Sequence, residues 1–289
     1  MICSEDKKYV DMIRTYSYPL VPVPVSEEVL ESFRSRVPRL NGSFLQYPVI
    51  LFDIYGTLFQ SGSGDIGVFE QYREGRCALF PRGELFLLQE RFASAVRDRH
   101  KKQGKTVEVP EVQVEEIWAE LQNLDLEAAR EFALRFELSV NPVYPMPGAK
   151  ELFGLLQKRG IILGLVSNAQ FFTPCYFEAF FSVSLEEMGF REDLCVFSFQ
   201  AGEAKPSLQL FRFAAEVLLK YGFKAENCLY IGNDLLNDVW APVQMGFKTA
   251  LFAGDARSLR LHPEDPRCKD LFPDYLLEGF EELKDYVCD

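Results

Sequence analysis

The chain has 289 residues, of which 48% are hydrophobic and 14% aromatic, so it can form one large domain or two smaller ones with packed cores. Its 31 basic and 43 acidic residues give a net charge of −12, which disfavours nucleic acid and membrane surfaces as partners but allows a local basic pocket for a small anion. Seven scattered cysteines, two histidines and no long apolar run argue against a zinc site, a disulfide framework or a membrane span, and predict a soluble cytoplasmic protein.

Residues 1–47 are predicted to form an N-terminal extension ahead of the first strand. Alternating prolines in the stretch YPLVPVPV fix φ and remove hydrogen-bond donors, so this stretch is predicted to be extended. In the next stretch, SEEVLESFRSRV, Ser26 is a candidate N-cap and the apolar residues share one helical face. This pattern predicts a short helix packed on the main body, and it indicates no function.

The apolar run Val49–Phe52 predicts a strand buried on both faces, as in a parallel sheet, and it ends at Asp53. Ligands bind at the carboxyl ends of the strands in open α/β sheets, so Asp53 is a candidate functional residue. The alternative is that Asp53 only caps a turn and that Gly56 supplies a permissive backbone conformation. This stretch alone does not choose between the two interpretations.

Residues 63–140 are predicted to be a helical insertion, because apolar residues recur at helical spacing and no strand pattern interrupts them. Asp125 is a candidate N-cap for the second half of this insertion. The stretch NPVYPMPG then marks the return to a different architecture. The helically spaced apolar positions are Leu85, Leu88, Phe92 and Val96, followed by Leu126, Ala129, Phe132, Ala133 and Phe136.

Residues 141–289 alternate amphipathic helices with short apolar strands, such as IILGLV, CLYIG and KTALF. This alternation predicts a parallel sheet built from βαβ units. Together with residues 48–62, the segment is predicted to form a doubly wound α/β core that the helical insertion interrupts.

Polar residues follow several of the predicted strands and are expected at one edge of the sheet. Each of them alone is more simply explained as a helix cap, a surface charge or a loop residue. Together they predict a functional site. They are Asp53, Thr57, Ser167, Asn168, Lys205, Asn233, Asp234, Asn237 and Asp238.

Four short motifs, in this order along the chain, resemble those of the haloacid dehalogenase superfamily of hydrolases, whose members are mostly phosphatases. DIYGTLF resembles the first motif, VSN the second, the lysine of KPSLQLF the third and IGNDLLND the fourth. The resemblance covers about residues 48–280. It implies a Rossmann-like core, residues 48–62 and 141–289, with a helical cap domain over residues 63–140.

The resemblance implies that Asp53 is a nucleophile that forms a covalent intermediate with a small anionic substrate. Lys205 would supply a fixed positive charge to the anionic group. Thr57, Ser167 and Asn168 are implied to bind the substrate together with Lys205 and to belong to the catalytic set.

The resemblance also implies a Mg²⁺ cofactor held by oxygen ligands. Two carboxylates in the fourth motif would repel Asp53 unless a hard cation lay among them. The expected ligands are Asp53, the main-chain carbonyl of Tyr55, Asp234 and Asp238. Asn233 stands where many family members have the first acid of this motif.

Tyr55, two residues after Asp53, is the main departure from the family pattern. Phosphatases of the family have an aspartate there that acts as general acid and base, an effect worth ~10²–10⁴-fold in rate. The phenol of Tyr55 is a candidate replacement acid, with an unperturbed pKa of ~10. The haloacid dehalogenases proper have a tyrosine at this position and need no metal.

Other positions differ from the dehalogenase pattern. That pattern has a tyrosine six residues after the lysine of the third motif, where this chain has Phe211, and a single acid in the fourth motif. This chain has Asp234 and Asp238 in the fourth motif, and we give this pair more weight than the single tyrosine. Pro242 stands where small residues are more usual and is expected to bend the helix behind the site.

Three functions fit these motifs. We expect a Mg²⁺-dependent phosphatase that acts on a small phosphorylated metabolite with a good leaving group. The alternatives are a metal-independent 2-haloacid dehalogenase that uses Asp53, or a non-catalytic binding or regulatory protein that retains the fold. Substrate specificity would lie in the cap, where the candidates are Phe69, Arg73, Arg76 and Arg82.

Overall fold

The computed structural model describes residues 4–63, 79–103 and 107–283. No helix among these residues is long and apolar enough to cross a lipid bilayer. The helices are α1 (Ser4–Tyr16), α2 (Glu27–Arg34), α3 (Arg82–Gln103), α4 (Val114–Gln122), α5 (Leu126–Val140), α6 (Ala149–Lys158), α7 (Thr173–Phe181), α8 (Ser198–Ala201), α9 (Gln209–Lys220) and α10 (Ala241–Gln244). The strands are β1 (Val49–Phe52), β2 (Phe59–Ser61), β3 (Val143–Pro145), β4 (Ile162–Ser167), β5 (Phe190–Phe197), β6 (Cys228–Gly232), β7 (Lys248–Phe252) and β8 (Tyr275–Leu277).

Strand β1 lies inside a six-stranded sheet of order β5-β4-β1-β6-β7-β8, in which all neighbouring strands are parallel. The side chains of β1 alternate between two cores on opposite faces of the sheet. Ile50 and Phe52 pack in the core that includes α6 and α7, whereas Val49 and Leu51 pack in the core that includes α9. The predicted doubly wound α/β fold with an inserted helical segment is therefore confirmed, and the carboxyl ends of its parallel strands meet at one edge.

The described part of the inserted segment consists of α3, α4 and α5. Trp118 of α4 is buried at its centre, where its ring stacks on Phe92 of α3 and contacts Phe136 of α5. Asp125 accepts a hydrogen bond from the main-chain N–H of Ala128 at 2.9 Å, so the predicted N-cap of α5 is confirmed. Aromatic packing thus gives this segment a core of its own.

An antiparallel ribbon of β2 and β3 joins the inserted segment to the parallel sheet. The side-chain oxygen of Asn141 accepts hydrogen bonds from the hydroxyls of Ser61, at 2.7 Å, and Ser63, at 2.8 Å. These bonds link the two segments that connect the inserted segment to the parallel sheet. The predicted domain boundaries, after residue 62 and before residue 141, fall beside this ribbon. The division into a core and a cap stays a prediction.

The N-terminal extension includes α1, a helix that is not among the predicted elements. Arg14 of α1 donates hydrogen bonds of 3.0 Å to the carbonyl oxygens of Glu178 and Ala179, in the last turn of α7, where a positive charge stabilises the helix dipole. The ring of Tyr9 contacts Phe171 at a centroid distance of 5.7 Å. Helix α1 therefore docks on the parallel core through its contacts with α7.

Helix α2 begins directly after Ser26, close to the predicted position, but the Ser26 side chain makes no capping hydrogen bond. The buried side chains of Leu30 and Phe33 hold this helix in a third apolar cluster, which also contains residues of β7 and β8. Burial of one helical face, rather than a cap, fixes α2 in place.

The extended stretch between α1 and α2 binds the loop that follows β7, residues 253–262, which we call the β7 loop. The carbonyl oxygen of Val23 accepts a hydrogen bond from the N–H of Ala256 at 2.8 Å, and the N–H of Val23 donates to the carboxylate of Asp255 at 3.2 Å. The same buried carboxylate forms an ion pair of 2.6 Å with Arg257. The N-terminal extension therefore fixes the β7 loop, which borders the candidate active site.

Candidate active site

An open cavity lies at the carboxyl edge of the parallel sheet, where most of the predicted polar residues come together. Thr57 and Ser167 are fully buried and are not part of its lining. The lining residues are Asp53, Tyr55, Asn168, Lys205, Asn233, Asp234, Asn237, Asp238, Ser258 and Arg260. The last two come from the β7 loop, which the sequence motifs do not include.

The ammonium group of Lys205 is the centre of the buried polar network. Its Nζ donates to Oδ1 of Asp53 at 2.7 Å and to Oδ1 of Asp238 at 2.6 Å. It also lies 2.9 Å from the hydroxyl of Tyr230, which itself donates to the carbonyl oxygen of Val166 at 2.7 Å. One ammonium group therefore connects the ends of β1, β4 and β6 with the fourth motif.

The charges of this trio are coupled. Burial alone would lower the pKa of Lys205, but the negative charges of Asp238 and Asp53 raise it above its ordinary value. Burial raises the pKa of Asp238, and the positive charge of Lys205 opposes that rise. Lys205 therefore stays protonated, and it holds one oxygen of Asp53 in a fixed position.

Asn168 positions the chain around Lys205 through its side-chain amide. Its Oδ1 accepts a hydrogen bond of 2.7 Å from the main-chain N–H of Lys205, and its Nδ2 donates to the main-chain carbonyl of Lys205 at 3.3 Å. The hydroxyl of Ser167 donates to the carbonyl oxygen of Asn168 at 3.2 Å. These contacts orient Lys205, and the substrate-binding roles of Ser167 and Asn168 stay predictions.

Thr57 and Asn233 connect the first and fourth motifs. The hydroxyl of Thr57 donates to Oδ1 of Asn233 at 2.8 Å, and Nδ2 of Asn233 donates to the carbonyl oxygen of Ser258 at 2.7 Å. The fully buried hydroxyl of Thr57 is thus already paired, and its role in substrate binding stays a prediction.

The phenol of Tyr55 is paired outside the network of Asp53. Its hydroxyl lies 2.9 Å from Oγ1 of Thr173, at the start of α7, and its ring packs edge-on against Tyr176. Burial raises the pKa of Tyr55 well above its ordinary value, and the charge of Glu137 adds to the rise. A phenol in this setting is a very weak acid at neutral pH.

The carboxylate of Asp234 caps the π-helical segment Leu235–Trp240. Its Oδ1 accepts from the N–H groups of Leu236 and Asn237, both at 2.8 Å, and both of its oxygens lie 2.9 Å from Nε2 of His262. This hydrogen bond to Asp234 raises the pKa of His262.

Asp238 is also engaged by protein donors. Its Oδ1 accepts from Nζ of Lys205 at 2.6 Å, and its Oδ2 accepts from the N–H of Asp234 at 3.0 Å. Each of the two motif-four carboxylates therefore has donors of its own. Hydrogen bonds and the positive charge of Lys205 offset part of the repulsion between these carboxylates and Asp53, and the expectation that a metal ion offsets the rest stays a prediction.

The donor set for a magnesium ion is smaller than the sequence predicts. The described residues contain no cluster of three or more acidic, histidine or cysteine side chains that could hold a metal. The second oxygen of Asp53 and the carbonyl of Tyr55 are not used by the hydrogen bonds described above, and Oδ1 of Asn233 adds a third oxygen. Magnesium often keeps several waters and one or two carboxylates, so these three oxygens fit it. Direct coordination by Asp234 and Asp238 stays a prediction that requires them to exchange protein donors for the ion.

Four residues of this region carry no signal in the motifs: Tyr230, Ser258, Arg260 and His262. A tyrosine inside the buried strand CLYIG is a weak signal, since a buried phenol needs a hydrogen-bond partner. The other three lie on the β7 loop, whose sequence reads as an ordinary surface connection. The cap candidates Phe69, Arg73 and Arg76, and the side chain of Arg82, lie outside what the structure describes.

Residues 47–257, more than half of the chain, match the family model described as haloacid dehalogenase-like hydrolase. A comparison with curated protein sequences found no match. Similar solved structures include the L-2-haloacid dehalogenase of Xanthobacter autotrophicus, with 16% identity, a TM-score of 0.50 and coverage of 84% of this chain and 98% of that one.

Two further structures have lower TM-scores. CbbY from Rhodobacter sphaeroides, in complex with phosphate, has 19% identity, a TM-score of 0.47 and coverage of 82% and 96%. The magnesium-bound putative hydrolase YfnB from Bacillus subtilis has 19% identity, a TM-score of 0.47 and coverage of 83% and 98%. At these identities the similarity concerns the fold alone.

Gly56 is where the first motif touches the β7 loop most closely, and its substitution provides a test of that contact. Its φ of +85° favours glycine, and an added Cβ would lie 2.5 Å from Cβ of Ser258 and 2.6 Å from Nδ2 of Asn233. Gly222 has a similar φ of +80°, but an added Cβ would have no neighbour within 4 Å.

We expect Gly222→Ala to lower the free energy of unfolding by about 1 kcal/mol, through backbone strain alone. We expect Gly56→Ala to lower it by about 2 kcal/mol more, because the methyl group overpacks the contact with the β7 loop. Urea denaturation of both variants measures the difference. Equal losses in the two variants would show that the β7 loop does not rest against the first motif.

Proposed function

From the premise that the chain belongs to the haloacid dehalogenase-like hydrolase family, we propose that it is a Mg²⁺-dependent phosphohydrolase with Asp53 as its nucleophile. Its substrate is a small phosphorylated metabolite whose leaving group departs without protonation. One observation carries this proposal: Asp53 lies in the cavity with one oxygen bound to Lys205 at 2.7 Å, while the phenol of Tyr55 is bound to Thr173.

The nucleophile is a carboxylate oxygen of Asp53. This oxygen forms a bond to phosphorus while the bond from phosphorus to the leaving oxygen breaks, which gives an aspartyl phosphate. Water then attacks phosphorus, and the bond from phosphorus to the Asp53 oxygen breaks and restores the carboxylate. The protons of the water leave with the released phosphate. Lys205 holds Asp53 in place through both steps and keeps the attacking oxygen oriented.

Charge balance supports a divalent cation. With both acids ionised, Asp53, Asp238 and Lys205 carry one net negative charge, which repels an anionic phosphoryl group. The residues that would hold Mg²⁺ are Asp53, the carbonyl of Tyr55 and the amide oxygen of Asn233. When bound, the ion offsets the negative charge of the transferred group and of the carboxylate that attacks it.

The site has no carboxylic acid at position 55, so the leaving group must depart without a proton from that position. Burial raises the pKa of Tyr55, and its hydroxyl is already bonded to Thr173, so the phenol is poorly suited to donate a proton. Substrates with stable leaving anions, such as acyl or aryl phosphates, need no such donor. We therefore propose that the enzyme prefers them to alkyl phosphates.

A metal-independent 2-haloacid dehalogenase is the second candidate. Asp234 and Asp238 are stabilised by His262, Lys205 and main-chain donors, so they do not require a metal, and halide leaves without a proton. Assays of aryl phosphates and 2-haloacids, with Mg²⁺ or with EDTA, separate the candidates. Turnover of a haloacid in EDTA supports the dehalogenase, and no turnover of any substrate supports the non-catalytic alternative.

We predict that Asp53→Asn abolishes turnover, because an amide keeps the shape of the carboxylate but is a poor nucleophile. Asp98→Asn, on an exposed carboxylate paired with Lys101, is the matched control and should retain full activity. Steady-state assays with p-nitrophenyl phosphate measure both variants, and circular dichroism checks that they are folded. A folded Asp53→Asn protein with wild-type activity would refute the mechanism.

We predict that Tyr55→Asp raises the hydrolysis of alkyl phosphates by up to ~10²–10⁴-fold and leaves that of acetyl phosphate nearly unchanged, since only the alkyl leaving group needs a proton. The loss of the buried ring should also lower stability. Tyr55→Phe, which removes only the hydroxyl, should leave the ratio of the two rates unchanged. A selective loss of alkyl phosphate hydrolysis in Tyr55→Phe would show that the phenol is the acid.

A further inference from the structure

We propose that Arg260 and Ser258, on the β7 loop, form an oxyanion-binding subsite of the cavity that takes a phosphoryl or carboxylate group of the substrate. The proposal rests on the proposed function only in taking the substrate to be an anion. Neither residue belongs to the four sequence motifs, and both line the same cavity as Asp53.

Arg260 is a cation in this cavity that is not paired with a carboxylate of the described residues. The hydrogen bonds of its guanidinium within the described chain come from Nη1, at 2.7 Å to the carbonyl oxygen of Arg257 and 3.4 Å to that of Leu259. Its Nε and Nη2 groups are left to donate to a ligand. The planar fork of a guanidinium matches the oxygens of a carboxylate or a phosphoryl group.

Ser258 contributes a hydroxyl that has no hydrogen-bond partner among the described residues. The residue is fully buried and belongs to the cavity lining, and its Oγ has no donor or acceptor among the described residues. Buried hydroxyls are normally paired, because an unpaired one loses the hydrogen bonds that it makes in water. An oxyanion in the cavity would accept the proton of this hydroxyl.

The two residues are fixed relative to the nucleophile. The Cβ of Ser258 packs against Gly56, three residues after Asp53. The main-chain N–H of Arg260 donates to the carbonyl oxygen of Asn233 at 3.0 Å, and its carbonyl accepts from the N–H of Leu235 at 2.8 Å. The subsite is therefore held against the first and fourth motifs.

The N-terminal extension supports this geometry from the other side. Asp255, three residues before Ser258, is tied to Val23 and Arg257. Its main-chain carbonyl accepts from the N–H of Ser258 at 3.1 Å. A loop held in this way needs little ordering when an anion binds, which favours affinity.

Electrostatics give Arg260 a role that Lys205 cannot fill. The charge of Lys205 is already shared between Asp53 and Asp238 at 2.7 and 2.6 Å. The guanidinium of Arg260 has no acidic partner in the described chain. An incoming anion therefore gains more from Arg260 than from the ammonium group of Lys205, whose positive charge the two carboxylates offset.

The test is titration calorimetry of the full-length protein, in magnesium buffer, with inorganic phosphate and with acetate as separate probes. Arg260→Gln should weaken the binding of at least one probe by ~10–100-fold, the range expected for charge-assisted hydrogen bonds. Arg260→Lys should recover part of the affinity, because it keeps the charge but loses the fork. Ser258→Ala should weaken the same probe by ~2–10-fold without a loss of stability, since the hydroxyl has no partner to lose.

Arg212→Gln is the matched control, since it removes the same charge from an exposed position on α9 and should bind both probes like the wild type. A loss confined to phosphate assigns the subsite to a phosphoryl group, and a loss confined to acetate assigns it to a carboxylate. The proposal is overturned if the wild type binds neither probe, if a folded Arg260→Gln protein binds both like the wild type, or if Arg212→Gln loses as much.

Binding needs no turnover, so this test and the proposed function can fail separately. A protein that hydrolyses no phosphate ester but binds phosphate through Arg260 would refute the phosphohydrolase and retain the subsite. A protein that turns over aryl phosphate, but in which Arg260 does not contribute to anion binding, would retain the phosphohydrolase and refute the subsite.

Discussion

A buried ammonium group shared by two carboxylates holds this active site together. Lys205 binds Asp53 and Asp238 at 2.7 and 2.6 Å in a region closed to solvent. Removing one member of such a network leaves a buried charge unpaired, at a cost of about 3–5 kcal/mol. The orientation of Asp53 and the seating of the fourth motif both depend on this contact, and Asn168 supports it by binding the main chain of Lys205.

The other motif positions have hydrogen-bond partners within the protein. Tyr55 turns its hydroxyl to Thr173, and Asp234 takes a hydrogen bond from His262 rather than facing Asp53 as a free carboxylate. The β7 loop also borders this site, and the N-terminal extension holds that loop against the first motif through Val23. The extension, whose sequence indicates no function, therefore contributes to the geometry of the catalytic edge.

The parts of the structure that could be predicted are those governed by short-range rules. The buried strand ending in Asp53, the alternation of helices and strands, and the cap at Asp125 all follow from periodicity and local chemistry. Helix α1 is not among the predicted elements, although Tyr9, Val10 and Ile13 share one helical face. These three side chains are buried against distant segments, and the sequence pattern does not specify those contacts.

The same limit applies to the candidate site. The motifs predict that Asp53, Lys205 and Asp238 meet, but not that Lys205 binds both carboxylates. The pairing of Asp234 with His262 joins residues 28 positions apart, and that of Tyr55 with Thr173 joins residues 118 apart. Such partners depend on tertiary packing, which also determines how much of the repulsion among the carboxylates the protein itself offsets.

The central claim is that hydrolysis proceeds through a covalent bond to Asp53. Rapid quenching of the wild-type protein during turnover of an acyl phosphate, followed by peptide mass mapping, tests it most directly. The account predicts a phosphoryl group on the peptide that contains Asp53, formed and lost at rates compatible with turnover. Steady turnover with Asp53 unmodified throughout, or with the phosphoryl group on another residue, would contradict it.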